Sequence, residues 1–142
     1  MLDLNCKKCD GRCCTSKKRE LFVVLTPQEK IKFKKFSTKL QTANGILTVL
    51  KKSKFGNCIF YDKKKNICKS YQDRPFECSV YPLLIHYDSQ LTFRLDSQIC
   101  PKQINVSPKE LKKIKQKWLQ QHLPSEWIKV YSSFDIPKTI IY

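Results

Sequence analysis

The sequence predicts a small α+β domain with short antiparallel strands and two main capped helices. Two capping boxes indicate the helices, Thr26-Pro27-Gln28-Glu29 and Ser107-Pro108-Lys109-Glu110, each with proline at the first helical position. Short apolar runs between turn residues indicate the strands. The third observation is the presence of eight cysteines in 142 residues, which indicates that cross-links through sulfur supplement a modest apolar core.

In the first half of the chain, residues 20–25 are predicted to form a buried strand because they are rich in β-branched and aromatic side chains. The capping box at Thr26 predicts a helix with an apolar stripe between lysines that face water. The helix would carry Ile31, Phe33, Phe36 and Leu40, of which Phe33, Phe36 and Leu40 form the stripe. Residues 46–50 form an apolar run that fits either a strand or a helix.

In the second half, alternating apolar runs across polar turns predict hairpins. They join residues 58–62 to 67–68 and residues 83–87 to 91–95. Pro75 and Pro82 exclude a long helix between the hairpins. The box at Ser107 opens a lysine-rich helix with Leu111, Ile114 and Trp118 inward, and a short helix is expected after Pro124.

We divide the chain into a cysteine domain over residues 1–102 and a basic helical extension over residues 103–142 that packs on it. No stretch approaches the roughly 20 apolar residues of a membrane span, and Met1 is not followed by an apolar signal-peptide core. These features favour a monomeric cytoplasmic protein with reduced thiols. Disulfides in a secreted domain are the alternative that an even cysteine count also fits.

The cysteines fall into two sets. The first is the compact motif Cys6-x2-Cys9-x3-Cys13-Cys14. A tight loop turns two sulfurs of such a motif toward one point, where zinc or an iron–sulfur cluster is the usual occupant. The second set is spread along the chain, so the fold must bring its sulfurs together: Cys58, Cys68, Cys78 and Cys100.

Adjacent cysteines are difficult to place on one small ion. In an extended segment, successive side chains point to opposite sides, so Cys13 and Cys14 are expected to diverge. The eight thiols can form two sites of four, or one four-cysteine cluster with four other thiols. The sequence leaves this partition open.

Three further residues are predicted around the cofactor. Arg74 would offset the negative charge of nearby thiolates and donate hydrogen bonds to them, and Tyr71 and Tyr81 would cover the site. Alternatively, Arg74 pairs with the carboxylate of Asp73 or Glu77, and the two tyrosines belong to the aromatic core.

The chain carries a formal net charge of +16, from 28 basic and 12 acidic residues. This balance favours contact with polyanions such as nucleic acid or with acidic proteins. Almost all of the basic residues are lysines, so the chain has few arginines that could form bidentate hydrogen bonds with phosphate or guanine. A solvated lysine-rich surface is the simpler interpretation.

The order of all eight cysteines resembles that of the YkgJ-type cysteine-cluster family. The resemblance covers about residues 6–101 and includes the segment Cys68-x2-Tyr71-x2-Arg74-Pro75-x2-Cys78-x2-Tyr81-Pro82 and the final Cys100-Pro101. It implies a domain that chelates zinc or iron, often described as an iron–sulfur-cluster protein. A related domain occurs in flagellin lysine methylases, but this short chain has no recognisable S-adenosylmethionine-binding glycine loop.

The residues and the resemblance together favour a protein that binds a [4Fe–4S] cluster and has an electron-transfer or accessory role. The alternative is a structural zinc module (Zn²⁺) whose basic surface binds nucleic acid or an acidic protein partner. A thiol-redox or lysine-methylase-related enzyme is less favoured, and no catalytic residue is assigned.

Overall fold

A computed structural model describes residues 22–81, 83–96, 107–133 and 139–141 of the chain. The strands are β1 (Ser37–Thr42), β2 (Gly45–Leu50), β3 (Tyr61–Asp62), β4 (Ile67–Cys68), β5 (Leu83–Asp88), β6 (Gln90–Asp96) and β7 (Thr139–Ile141). The helices are α1 (Phe76–Val80), α2 (Pro108–Gln120) and α3 (Ser125–Ser132). All strand pairs are antiparallel, which confirms the predicted α+β class.

The capping box at Thr26 is present, but the long helix predicted after it is wrong. Glu29 Oε2 accepts hydrogen bonds from the backbone N–H of Thr26 at 2.9 Å and from its hydroxyl at 3.1 Å. Only two short 3-10 helices follow, Pro27–Glu29 and Lys34–Phe36. The remainder of the predicted helix is β1, whose Leu40 lies opposite Leu47 of β2. Pairing with a neighbouring strand therefore outweighs the local helical pattern of apolar residues.

The segment before the capping box lies along β2. Val24 forms an antiparallel bridge with Val49, the Leu25 N–H donates to the Thr48 carbonyl, and the Leu50 N–H donates to the Val23 carbonyl. The strand predicted over residues 20–25 is thus reduced to a single bridge, and residues 20 and 21 lie outside the described ranges. The apolar run at 46–50 belongs to strand β2.

Both predicted hairpins are confirmed. Strand β3 pairs with β4, and β5 pairs with β6 in continuous register from Leu83↔Leu95 to Asp88↔Gln90. Helix α1 is five residues long and begins directly after Pro75, as the two prolines required. Strand β7 has no counterpart among the predicted elements, and it completes a three-stranded sheet in the order β5-β6-β7.

The two C-terminal helices close the larger core. Trp118 of α2 and Tyr131 of α3 are buried with strand residues such as Leu83 and Val49. The Trp118 Nε1–H donates to the Leu83 carbonyl at 2.9 Å, and the N–H of Tyr87 donates to the hydroxyl of Ser132 in α3. No helix within the described ranges has the length and apolar character needed to cross a membrane.

Gly45 fixes the approach of α3 to β2. Its φ is +147°, and a Cβ added there would lie 2.9 Å from Val130 Cγ2. We expect Gly45→Ala to lower the free energy of unfolding by about 2–4 kcal/mol, through backbone strain and overpacking together. Chemical denaturation measures this change.

Gly56 supplies the matched control for this prediction. It also has a positive φ, +81°, but no atom lies within 4 Å of its added Cβ. Gly56→Ala should therefore cost only the backbone term, about 1–2 kcal/mol. Equal losses in the two variants would contradict the proposed contact with Val130.

Candidate metal centre

The structure places three of the eight cysteines. Cys58 lies in an isolated bridge with Lys52, Cys68 ends β4, and Cys78 is in the middle of α1. All three are half-buried. Because only three cysteines are described, any four-cysteine site must use at least one of the others, which lie outside the described ranges: Cys6, Cys9, Cys13, Cys14 and Cys100.

Cys58 borders the smaller of two apolar clusters. Leu25, Phe33 and Leu50 form that cluster, and Cys58 and Phe60 pack against it. The side of Cys58 that faces this cluster is therefore shielded from water by apolar atoms. A thiolate there would be poorly solvated and would gain from a cation that neutralises it.

Arg74 and Tyr71 lie together beside Cys68. The guanidinium carbon of Arg74 is 4.2 Å from the centre of the Tyr71 ring, and Arg74 Nη1 donates to the Tyr71 carbonyl at 3.4 Å. The N–H of Tyr71 donates to the Cys68 carbonyl at 3.3 Å. The chain thus holds a stacked cation within a few residues of one candidate ligand.

The carboxylates proposed as alternative partners of Arg74 have other contacts. Asp73 lies 3.6 Å from the Lys32 ammonium group, and both side chains are exposed. Glu77 is buried and points away from solvent toward the segment along β2, where it accepts a hydrogen bond from the Val24 N–H at 3.2 Å.

Tyr81, the third residue predicted around the cofactor, is buried at the end of α1. Its N–H donates to the Glu77 carbonyl at 2.8 Å, one turn back along the helix. Tyr81 belongs to the larger apolar cluster. Cys78 therefore lies in α1 and Tyr81 directly follows it, whereas Tyr71 and Arg74 lie in the loop that precedes the helix.

Two glutamates tie α1 to the segment that follows the N-terminal cysteine motif. Glu29 Oε1 accepts from the N–H of Phe76, the first residue of α1, at 2.6 Å. In the opposite direction, Glu77 of α1 accepts from the N–H of Val24. We call this pair the two-glutamate link. It fixes the chain at Val24, ten residues after Cys14, onto the helix that carries Cys78.

The environment of Glu77 favours its neutral form. Burial raises its pKa from the ordinary value of 4.5 to about 7, because the ionised carboxylate loses its solvation. The negative charge of Glu29 adds to this increase, whereas interactions with the Tyr131 hydroxyl and the Val24 N–H lower the pKa. The pKa of Tyr131 is in turn raised, by burial first and then by the nearby Glu77 carboxylate.

His86 does not join the candidate ligands. It is buried in β5, and burial lowers its pKa, so the neutral imidazole is favoured. Across the part of the chain that the structure describes, no three histidine, cysteine or acidic side chains are grouped to hold a metal ion. The described cysteines would therefore have to be completed by sulfurs from elsewhere in the chain.

A family model described as "Putative zinc- or iron-chelating domain" and named CxxCxxCC matches residues 5–105. The match covers more than half of the chain and includes all eight cysteines. The chain belongs to the CxxCxxCC family. No curated protein and no solved structure matched it.

The chain differs from the spacing in the family's name at one point. The name CxxCxxCC has two residues between the second and third cysteines, whereas this chain has three, Asp10-Gly11-Arg12. The soft thiolate donors of this set suit both zinc and iron, the two metals in the family's description.

The sequence did not identify the two-glutamate link. In the sequence, Glu29 belongs to the Thr26 capping box, and Glu77 is expected only as a partner of Arg74. The sequence does contain a signal for Glu77. Its neighbours Phe76 and Cys78 are residue types that are usually buried, so its carboxylate is a candidate for a buried site with a shifted pKa. Its partner Val24 is 53 residues away in the chain, and only the folded structure shows that contact.

The raised pKa of Glu77 predicts a pH-dependent stability. The unfolded chain releases this proton near pH 4.5, whereas the folded protein holds it up to about pH 7. The protonated carboxyl of Glu77 therefore makes its full contribution to the free energy of unfolding below pH 4.5. This contribution is lost as the pH rises to about 7. The loss should reach about 3 kcal/mol.

Glu77→Gln keeps a neutral hydrogen-bond acceptor and should remove this dependence. Urea denaturation at several pH values measures the free energy of unfolding of both proteins. Any pH dependence that comes from a bound metal is common to both and cancels when the two free energies are subtracted. Parallel stability–pH curves for the two proteins would contradict the assignment to Glu77.

Proposed function

We propose that the chain binds a [4Fe–4S] cluster through its cysteines and serves in electron transfer or as an accessory factor in the cytoplasm. The observation that carries this proposal is the family match, which includes every cysteine from Cys6 to Cys100. Electron transfer needs only a bound redox centre near the surface, so the absence of an assigned catalytic residue is consistent with it. A reducing compartment keeps such thiols available as ligands.

The proposed ligands form one shared assembly, with the N-terminal motif on one side and the segment from Cys68 to Cys78 on the other. The two-glutamate link supports this arrangement, because it ties the chain after Cys14 to the helix of Cys78. If Cys13 and Cys14 diverge, at most one of them faces each site. The remaining thiols then complete a second site or pack in the fold.

Positive charge in the loop after Cys68 supports binding of this cysteine as a thiolate. Lys69 follows Cys68, and Arg74 is held by Tyr71 in the same loop. Nearby cations lower the free energy of a thiolate relative to the thiol. We assign Arg74 to charge compensation and Tyr71 and Tyr81 to the protein wall around the cluster.

Protein purified anaerobically tests the proposal. Iron–thiolate charge transfer should give a broad visible absorbance band, and elemental analysis should give iron and acid-labile sulfide in equal amounts, about four of each per cluster. Zinc has a filled d shell and gives no such band. Colourless protein that contains zinc alone would overturn the cluster.

Structural zinc is the second candidate, because the family's description names zinc as well as iron. Eight thiolates would supply two closed tetrahedral sites, each contributing to folding directly. The same elemental analysis separates the two candidates. Two zinc ions per chain and no acid-labile sulfide are expected only if the metal is structural zinc. An open coordination position is not needed in either case.

A further inference from the structure

One segment of the chain carries an unbalanced run of positive charge. Residues 30–61 contain eight lysines and no aspartate, glutamate or arginine. Within the described ranges the salt bridges are Lys32–Asp73 and Lys129–Glu126, so only one of these eight lysines has a carboxylate within 4.0 Å. A concentration of ammonium groups without acidic neighbours attracts a polyanion.

The fold brings distant members of this run together. The ammonium group of Lys51 donates to the backbone carbonyl of Lys35 at 3.2 Å, and the Lys51 N–H donates to the Phe36 carbonyl at 2.8 Å. Both lysine side chains are exposed. The Lys51 ammonium group therefore lies against the backbone of the 3-10 helix that carries Lys35, and two exposed lysines on adjoining segments favour an anion near them.

Two exposed phenylalanines lie among these lysines. Phe36 is 42 % exposed, and its ring is fixed edge-on against Phe60 at 5.0 Å. Phe55 is 77 % exposed in the turn closed by the hydrogen bond from Gly56 N–H to Ser53. The ammonium group of Lys54 lies 5.1 Å from the centre of the Phe55 ring.

We propose that this lysine–phenylalanine face, formed by Lys35, Phe36, Lys51, Lys54 and Phe55, binds single-stranded nucleic acid without sequence preference. The proposal is independent of which metal the cysteines bind. The ammonium groups contact phosphates, and bases stack on the exposed rings.

Features of the face favour this partner over other polyanions. A phenylalanine ring beside an ammonium group can contact both parts of one nucleotide, because the ring stacks on the base while the ammonium group contacts the phosphate. The absence of arginine removes the side chain that reads guanine bidentately, so selectivity among bases is not expected. No long helix lies in residues 30–61 to enter a major groove or to lie on a bilayer as an amphipathic segment.

Fluorescence anisotropy with a labelled oligothymidylate of about 15 nucleotides tests the proposal on the full, metal-loaded chain. Binding at low salt should weaken as salt rises, with a log–log slope of about −2 for three phosphate contacts. No binding at low salt, binding to duplex DNA that is as tight, or preferential binding to vesicles of phosphatidylglycerol and phosphatidylcholine would overturn it.

Matched variants separate the face from general charge. The triple variant Lys35→Gln/Lys51→Gln/Lys54→Gln should lose most of the affinity and nearly all of the salt dependence. A control with the same loss of charge, Lys63→Gln/Lys64→Gln/Lys65→Gln, alters the exposed turn between β3 and β4 and should bind almost as wild type. Equal losses in the two triple variants would overturn the assignment to this face.

Phe55→Ala tests the stacking contribution. It should weaken binding about fivefold or more while leaving the salt slope unchanged, because no charge is removed. Unaltered affinity would overturn the role of the ring. Metal content is measured in every variant, so that weaker binding is assigned to the face only where the metal content is unchanged. Failure of the metal-loaded wild-type chain to bind the oligonucleotide would contradict this proposal alone and leave the metal centre intact.

Discussion

Cys9→Ser is expected to remove metal from the whole assembly and to loosen the region from Cys58 to Cys100. The N-terminal motif and the later cysteines are proposed to bind the same centre. Loss of one thiolate from the motif should therefore also leave the later cysteines without their metal. Metal ligation contributes folding free energy in small metal-bound domains, and its loss should lower the melting temperature by roughly 10 °C or more.

Elemental analysis and hydrogen exchange check this outcome together. Backbone amides in β4 and α1 should lose protection, including the Phe76 N–H of the two-glutamate link. Lys8→Ser is the matched control, since it introduces the same residue into the same motif and leaves all thiols in place. Full metal content and unchanged protection from Cys58 to Cys100 in Cys9→Ser would contradict a shared assembly.

Trp118→Ala is expected to produce the largest loss of stability from a single apolar side chain among the described residues. The indole is 1 % exposed, packs edge-on against Phe76 with ring centres 4.9 Å apart, and donates to the Leu83 carbonyl. Its removal leaves a cavity and an unsatisfied buried carbonyl, at a cost of about 3–5 kcal/mol.

The neighbouring Leu119 provides the control, because it is 54 % exposed in the same helix. Leu119→Ala should change the free energy of unfolding by no more than about 0.5 kcal/mol. Chemical denaturation followed by tryptophan fluorescence and by circular dichroism gives both values. Similar costs for the two substitutions would contradict the structure of this core.

The same experiment bears on the division of the chain at residue 102, which stays a prediction. Trp118 belongs to the helical extension, yet its ring contacts Phe76, the first residue of the helix that carries Cys78. If the extension only packs on an independent cysteine domain, Trp118→Ala should leave the metal content unchanged. If the two segments fold together, metal content should fall with stability.

The elements predicted correctly are those with a strong local signal. The β5–β6 hairpin follows from alternation across a polar turn, and α2 follows from the Ser107 capping box, whose hydroxyl accepts from the Glu110 N–H. The Thr26 box also forms, with the Glu29 side chain accepting from the Thr26 N–H, but only two 3-10 helices follow it. A cap defines where a helix can begin, whereas its length depends on whether a strand partner competes for the same residues.

The sequence by itself determined the α+β class, the family and the chemistry of the donor set, because capping residues, hairpin turns and the order of cysteines are local patterns. Only the tertiary structure decided that residues 37–42 form a strand and that β7 completes a sheet. The same holds for the contacts of Glu29 with Phe76 and of Glu77 with Val24, which join the segment 24–29 to α1. These outcomes depend on contacts between residues far apart in the chain. Their free energies come from pairing and burial, which no local pattern of residues records.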